Sequence, residues 1–272
     1  MPLSNDAASR IREVVKGILE NRLEKFPRNF RNNRNAPFHE SFLEAFSREL
    51  SVVNVPMPYL VALASWMHGL NTSLGTGYEH IAHILSGGYK RKFTGADTLR
   101  ITHSQAALIN SIMVALKSGD RVPNPLEEER ELFSTTVLNG RLQRALGFTA
   151  DVYIETSTEV KCIEIKSVRP NSGEGRGEKE KILHAKAALK RLHPRKTIRF
   201  FVGFPFDPTS DTPTGYDKTR FMDYLIEFKK FFAPEEILIA SELWDHLSGQ
   251  SQTMEQVLRI VAETVNDFKN LL

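Results

Sequence analysis

The spacing of the apolar residues changes midway along the chain, and this change restricts the possible folds more than any other feature. Residues 148–155 and 159–168 are short and rich in β-branched side chains, with a polar turn at 156–158, a pattern typical of a β-hairpin. Residues 178–192 have helical periodicity, and 197–203 form an apolar run typical of a buried strand. The order strand, strand, helix, strand predicts an α/β core with a mixed sheet, in other words an α+β arrangement.

Helical patterns occupy both sides of this core. The periodicity predicts helices over 9–26, 38–50, 59–70, 78–85, 103–117, 126–146, 219–232 and 253–271. We therefore expect a largely helical N-terminal region, 1–125, and a core with C-terminal helices, 126–272, within one structural unit.

Composition limits the class of protein. The chain has 272 residues, of which 41% are hydrophobic, enough for a sizeable core. The single cysteine, Cys162, excludes an internal disulfide and a cysteine-based metal site, and we expect it to serve packing. The N-terminus lacks a signal-peptide pattern, and the longest apolar stretch, 59–70, is too short to span a membrane. We expect a soluble, cytoplasmic protein without a membrane partner.

The charge is small in total and uneven along the chain. Residues 161–200 contain 12 basic and 4 acidic side chains, whereas 201–272 contain 6 basic and 12 acidic ones. A basic stretch of this kind attracts polyanions, most often nucleic acid. A solvated helix face rich in lysine and arginine gives the same pattern, so charge alone leaves both interpretations open.

Two acids and a lysine in the hairpin indicate phosphodiester chemistry. Asp151 lies in the first strand, and Glu164 and Lys166 lie two residues apart in the second, hence on one face. A short hairpin brings the carboxylates close together, where a cation relieves their repulsion, and hard oxygen ligands suit Mg²⁺. The lysine could orient or help deprotonate an attacking water. The alternative is a salt bridge between Glu164 and Lys166, with Asp151 as a surface acid.

The segment after Lys166 favours the catalytic interpretation. Residues 167–177 form a basic run interrupted by glycines, and the next helix starts close behind it. A cationic loop beside a pair of acids suits a site that cleaves phosphodiesters, and the N-terminus of a helix favours a phosphate.

Asp151 and the triplet Glu164-Ile165-Lys166, in strand–strand–helix–strand order, resemble the PD-(D/E)XK nuclease superfamily. Ala150 occupies the position of the proline in that name, and this position varies widely. The runs EIKSVRPNSGEGRGEKEKIL, GFPFDPTS and GYDKTRFM resemble the TdeIII-like group of type II restriction endonucleases. The resemblance therefore implies a restriction-endonuclease-like core.

This resemblance assigns roles within the candidate site. It implies that Asp151, Glu164 and the main-chain carbonyl of Ile165 bind Mg²⁺ and that Lys166 serves the attacking water. The superfamily often adds an acid from the helix before the hairpin, for which Glu128 or Glu131 are our candidates. The alternative for these acids is a solvated first helical turn, favoured by the helix dipole.

The resemblance also implies a substrate and partners. Members of the group cleave double-stranded DNA as homodimers, leave 5′-phosphate ends and are associated with the interrupted palindrome GGNCC. A palindrome requires two-fold protein symmetry. We expect a cognate DNA methyltransferase as a genetic partner, and we expect residues 1–125 either to form the dimer interface or to clasp DNA.

Two groups of polar residues are candidates for DNA contact. One follows the catalytic strand, and the other is a basic run flanked by aromatic residues; together they comprise Arg169, Asn171, Ser172, Arg176 and Lys179, and Lys90, Arg91 and Lys92. Arginine suits guanine edges, but contacts to phosphate alone or a solvated loop are equally compatible with the sequence.

Other patterns receive structural interpretations. We expect His80 and His83 to lie on a helix surface without a metal, and Asp207 and Asp217 to form turns. Two rival functions remain open: a repair nuclease or junction resolvase on the same fold, and a DNA-binding module with an inactive core.

Overall fold

The computed structural model describes residues 2–28, 37–50, 56–93, 99–166, 172–225 and 227–271. The helices are α1 (Asn5–Glu24), α2 (Pro37–Glu44), α3 (Ser47–Leu50), α4 (Met57–Ser86), α5 (His103–Ser118), α6 (Pro125–Leu132), α7 (Thr135–Leu138), α8 (Ser172–Leu192), α9 (Lys218–Tyr224), α10 (Ser241–Ser248) and α11 (Thr253–Lys269). The strands are β1 (Tyr89–Phe93), β2 (Arg100–Thr102), β3 (Leu142–Arg144), β4 (Phe148–Glu155), β5 (Glu159–Ile165), β6 (Thr197–Phe204) and β7 (Ile237–Ile239).

The central element is a mixed sheet. Within the described residues it has five strands in the order β1-β4-β5-β6-β7, and β2 pairs with β3 in a separate ribbon. Strands β4 and β5 form the expected antiparallel hairpin, and β1 is antiparallel to β4. Strand β6 is parallel to β5, and β7 is parallel to β6. The predicted α+β fold with a mixed sheet is therefore confirmed.

Helix α8 connects the parallel strands β5 and β6. Its apolar residues Ile182, Leu183 and Leu189 are buried in the core, which also contains Val152 and Val202 of the sheet. Because α8 starts a few residues beyond the end of β5, its first turns lie beside the carboxyl end of that strand. This placement brings polar residues of α8 to the residues that follow β5.

Helix α4 replaces two shorter helices that the sequence predicts. The predicted helices over 59–70 and 78–85 leave a gap, yet the structure has one helix of 30 residues. Two glycines of this helix serve close packing. A Cβ at Gly77 would lie 2.7 Å from Cδ1 of Ile18, and one at Gly69 would lie 2.6 Å from Nη1 of Arg22. Helix α1, which carries both contacted side chains, therefore packs directly on α4.

The prediction of one helix over 126–146 is wrong. Helix α6 begins at the cap Asn124, whose side chain accepts from the backbone N–H of Glu127, and it ends at Phe133. The chain then forms the short helix α7 and strand β3, with Gly140 at a φ of 147° between them. The positive φ of Gly140 prevents the helix from continuing beyond α7, and the Asn139-Gly140 pair was the available signal for this break.

Other predicted elements differ mainly in their ends. The helix over 103–117 is confirmed as α5, while 38–50 contains α2 and α3. The helix over 219–232 ends earlier, as α9, and a 3₁₀ helix spans Phe228–Lys230. The basic run at Tyr89–Phe93, for which the sequence predicted no strand, is the strand β1.

The N-terminal region contributes to the same core as the sheet. Strand β1 joins β4, and Ile11, Val15, Ile81 and Ala82 belong to one cluster of buried apolar residues with the sheet. The boundary between 1–125 and 126–272 stays a prediction. None of the described helices is long and apolar enough to cross a membrane.

A buried ion-pair cluster joins α8 to two other elements. Nζ of Lys179 lies 2.7 Å from Oε2 of Glu128 on α6 and 2.8 Å from Oε1 of Glu236. Lys179 is 0% exposed, and both acids are also buried. The DNA contact expected for Lys179 is thus corrected to a buried ion pair, which fixes the position of α8.

We predict that Lys179→Met destabilises the protein by about 3–5 kcal/mol, because the substitution leaves two buried carboxylates without their cation. Urea unfolding followed by circular dichroism measures this loss. The control is Lys229→Met. Both partners of the Lys229–Asp223 ion pair are exposed, so the pair should contribute at most about 1 kcal/mol to the free energy of unfolding. Equal stability of the two variants would contradict the role of the buried cluster.

Candidate active site

The β4–β5 hairpin brings the two acids of the predicted site together. Val152 pairs with Ile163 in the antiparallel register, and Asp151 and Glu164 are the next residues on the two strands. The backbone N–H of Ile165 donates a 3.0 Å hydrogen bond to Oδ2 of Asp151. Both acids are buried, so the hairpin holds two carboxylates side by side and largely out of water.

This arrangement disfavours the ionised form of Glu164. Burial and, next in importance, the charge of Asp151 raise the pKa of Glu164 above its ordinary value. Oε1 of Glu164 lies 3.0 Å from Nζ of Lys181, whereas Oε2 is buried and accepts no hydrogen bond from the described residues. A buried oxygen without a donor is costly, and a cation bound there would remove this cost.

Lys166 follows β5 directly, and its ammonium group lies among three carboxylates. Its Nζ is 3.2 Å from Oε1 of Glu164, 2.8 Å from Oε1 of Glu178 and 3.6 Å from Oε1 of Glu174. Burial alone lowers the pKa of this lysine, but Glu164 and Glu178 outweigh burial and raise the pKa above its usual value. Lys166 is therefore held as an ammonium group that donates hydrogen bonds.

Helix α8 supplies a second layer of charges. Glu174, Glu178 and Lys181 follow one another at spacings of four and three residues, which places them on one helix face. Oε2 of Glu178 lies 2.5 Å from Nζ of Lys181. The helix therefore presents both carboxylate and ammonium groups to the hairpin.

Helix α4 and strand β1 contact Asp151 from the other side. Nε2 of His83 lies 2.6 Å from the main-chain oxygen of Asp151, and Nε2 carries the proton of this hydrogen bond because a carbonyl only accepts. Nζ of Lys90 lies 3.0 Å from Oδ1 of Asp151 and 2.7 Å from Oε2 of Glu79. Glu79 and His83 are one helical turn apart, so α4 contacts the backbone of Asp151 directly and its side chain through Lys90.

These residues form one charged cluster whose composition fits a divalent cation. The site cluster comprises five carboxylates and three ammonium groups, with a formal charge of −2 when all are ionised: Glu79, Asp151, Glu164, Glu174, Glu178, Lys90, Lys166 and Lys181. Among the described residues, no three His, Cys, Asp or Glu side chains are close enough to hold a metal ion. Two carboxylates and a carbonyl nonetheless suit Mg²⁺, which keeps several waters.

Comparison with known proteins places this chain in a family. The model of the family described as type II restriction endonuclease HinfI matches residues 3–265. The chain belongs to the HinfI family of type II restriction endonucleases. It is 43% identical over 274 residues to the type II restriction enzyme MjaII of Methanocaldococcus jannaschii, an alignment that covers 99% of this chain and 73% of MjaII.

Membership of the HinfI family confirms the class expected from the sequence. The chain is a site-specific deoxyribonuclease of the restriction type, consistent with the PD-(D/E)XK motif. Within type II restriction endonucleases the matching family is HinfI, whereas the sequence runs pointed to the TdeIII-like group. DNA is therefore the substrate class.

The acids expected to complete the metal site lie elsewhere. The carboxylate of Glu128 pairs with the buried Lys179, and Oε2 of Glu131 lies 2.9 Å from Nη1 of Arg121. Neither acid takes part in the site cluster, so we correct this expectation. A different acid comes from a helix that precedes the hairpin. Glu79 of α4, which was not among the predicted site residues, is linked to Asp151 through Lys90.

Only some of the residues predicted to contact DNA are among those that the structure describes. Arg169 and Asn171, and the side chain of Ser172, lie outside the described residues. Arg176 and Lys92 are exposed, as DNA contact requires. Arg91 lies over the rings of Phe93 and Tyr153, 3.6 Å from Oε2 of Glu155.

The structural interpretations of other residues are largely confirmed. Cys162 is buried, and burial raises the pKa of its thiol, as expected for packing. Asp207 accepts hydrogen bonds from the backbone N–H groups of Thr209 and Asp217, and Asp217 caps α9. His80 is exposed, but His83 contacts Asp151 and so belongs to the site.

Sequence reasoning missed five residues of the site: Glu79, His83, Glu174, Glu178 and Lys181. The three residues on α8 had a usable signal, because their spacing repeats the helical period soon after strand β5. The pair on α4 had none, since the contact depends on how β1 folds back onto β4.

We predict that His83→Ala raises the Mg²⁺ concentration needed for half-maximal DNA cleavage by about 10-fold, because Asp151 loses the donor that fixes its backbone. A Mg²⁺ titration of cleavage measures this shift, and His83→Gln should restore part of it. His80→Ala, one turn earlier on the exposed side, is the control. A cleavage defect in His83→Ala that is independent of Mg²⁺ would argue against this role.

Proposed function

We propose that the chain is a Mg²⁺-dependent endonuclease that hydrolyses double-stranded DNA at a short palindrome. The observation that carries the proposal is the buried carboxylate pair of Asp151 and Glu164 with Lys166 at 3.2 Å from Glu164. Within the HinfI family, this set of groups has a direct interpretation as the hydrolytic centre.

Asp151, Glu164 and the main-chain carbonyl of Ile165 would hold the Mg²⁺ ion. Bound there, Mg²⁺ supplies positive charge that stabilises the developing charge of the phosphate. The unpartnered Oε2 of Glu164 supports this assignment, as does the formal charge of the site cluster.

Lys166 orients the attacking water in this proposal. Its ammonium donates hydrogen bonds, and Glu178 at 2.8 Å keeps it beside Glu164. Water attacks the phosphorus atom and the bond from phosphorus to the 3′ oxygen breaks, which leaves a 5′-phosphate and a 3′-hydroxyl. Charged groups positioned in advance avoid reorganisation in the transition state.

Exposed cations near the site provide contacts to the DNA backbone. Arg176 at the start of α8 and Lys90 and Lys92 on β1 are exposed, and such groups bind phosphates independently of sequence. For the target we propose GGNCC, following the resemblance seen in the sequence. A palindromic target is read by a homodimer, and a cognate methyltransferase would protect the host DNA.

The first test is a digest of unmethylated bacteriophage DNA with and without Mg²⁺, followed by sequencing of the fragment ends. We expect discrete fragments whose 5′-phosphate ends share one short palindrome. Uncut linear DNA together with cleavage of branched substrates would instead establish a junction resolvase. Binding without any cleavage would establish an inactive DNA-binding module.

We predict that Asp151→Asn and Lys166→Ala each lower the cleavage rate by about 100-fold or more while DNA binding persists. Cleavage assays and gel shifts measure the two properties separately. The matched control is Asp223→Asn, an exposed acid paired with Lys229 outside the site, which should cleave normally. Normal cleavage by Lys166→Ala would overturn the assignment of the site.

A further inference from the structure

Two lysines occupy corresponding positions at the candidate metal ligands. Nζ of Lys90 bridges Oδ1 of Asp151, at 3.0 Å, and Oε2 of Glu79, at 2.7 Å. Nζ of Lys181 bridges Oε1 of Glu164, at 3.0 Å, and Oε2 of Glu178, at 2.5 Å. Each metal-binding acid is therefore joined by a lysine to a second acid on a helix.

We propose that Lys90 and Lys181 are exchangeable counter-ions of the metal site. They neutralise Asp151 and Glu164 until a divalent cation binds, and they then release these carboxylates and contact the phosphates of the DNA. The proposal rests on the proposed function, and it adds a mechanism by which metal binding and DNA binding support each other.

Electrostatics favours a rearrangement of this kind. A divalent ion on Asp151 and Glu164 would approach two ammonium groups that now lie 3.0 Å from the same carboxylates. Like charges at such separations repel, and they repel more strongly in a partly buried site than in water. A metal ion on these carboxylates therefore weakens both lysine contacts and favours their release.

The second acid of each pair determines where the lysine goes. Glu79 and Glu178 belong to helices and are not the proposed metal ligands, so each lysine keeps one partner after the exchange. The released ammonium groups stay at the edge of the site and have lost one negative neighbour. They are then available to an anion, and the phosphate next to the metal is the nearest one in a DNA complex.

Exposure permits the exchange more readily for Lys90 than for Lys181. The side chain of Lys90 is 49% exposed, whereas that of Lys181 is 20% exposed. An exposed lysine can change partners without leaving water, and ion pairs of this kind hold weakly. Lys90 is therefore the better reporter of the exchange.

The direct test is acetylation of lysines by an N-hydroxysuccinimide ester, with each site quantified by mass spectrometry. The protein is labelled alone, with Ca²⁺, and with Ca²⁺ and a duplex containing GGNCC, whose integrity is checked on a gel. We expect labelling of Lys90 to rise several-fold with Ca²⁺ and to fall again with the duplex. Asp151→Asn should abolish the response to Ca²⁺. Unchanged labelling of Lys90 at saturating Ca²⁺ would overturn the proposal.

Calorimetric titration with Ca²⁺ in the absence of DNA gives an independent measurement. Lys90→Met and Lys181→Met should bind Ca²⁺ several-fold more tightly than the wild type, because the competing ammonium group is gone. Lys92→Met removes the same charge from the same strand, and it should change Ca²⁺ affinity by less than twofold. If all three variants bind Ca²⁺ alike, the lysines are permanent ion pairs and the proposal fails.

These measurements are separate from the test of the proposed function. If the wild-type protein cleaves DNA but the labelling of Lys90 does not change with Ca²⁺, only the counter-ion exchange is refuted. A protein that shows the exchange but leaves DNA intact would refute the hydrolytic function and retain a metal-coupled DNA-binding site.

Discussion

The repulsion between two carboxylates, buried side by side at the end of a hairpin, is the interaction on which the rest of the site depends. The hairpin brings Asp151 and Glu164 together, and other elements supply the opposite charge that offsets their repulsion: Lys90 from β1, Lys166 after β5 and Lys181 from α8. Each of these lysines needs its own acid in turn, so the cluster extends onto α4 and α8. The arrangement of strands and helices around the hairpin can be understood as the means of holding this cluster.

Helix α8 shows how stability and chemistry are divided between the faces of one element. One face carries Glu178 and Lys181 to the site. Another face carries Lys179, whose buried pairs with Glu128 and Glu236 are costly to break once formed. A helix fixed in this way restricts the positions that the charges on its other face can take. The buried cluster therefore contributes to the geometry of a site that it does not touch.

The hairpin, the crossover helix and the triplet at Glu164 could be predicted from the sequence, because local periodicity and a motif of adjacent residues determine them. The continuity of α4 across residues 71–77 and the end of α6 at Leu132 were not predicted. Gly77 reads as a helix breaker in the sequence but serves the contact with Ile18. The site was predicted where its residues are close in sequence. His83 and Glu79 were not predicted, because 68 residues separate His83 from its partner Asp151. The pairing of β1 with β4 is what brings this part of the chain to Asp151.

Helix α4 has a consequence for how proteins of this family can diverge. Its 30 residues span about 45 Å, and its last turns hold the backbone of Asp151, while its middle packs on α1 through Gly69 and Gly77. The N-terminal region is thus part of the framework of the proposed site, and a change in its packing can be transmitted to the hairpin along α4. The family model matches residues 3–265 as one unit. Recombination between relatives would therefore preserve a working enzyme only when both halves are inherited together.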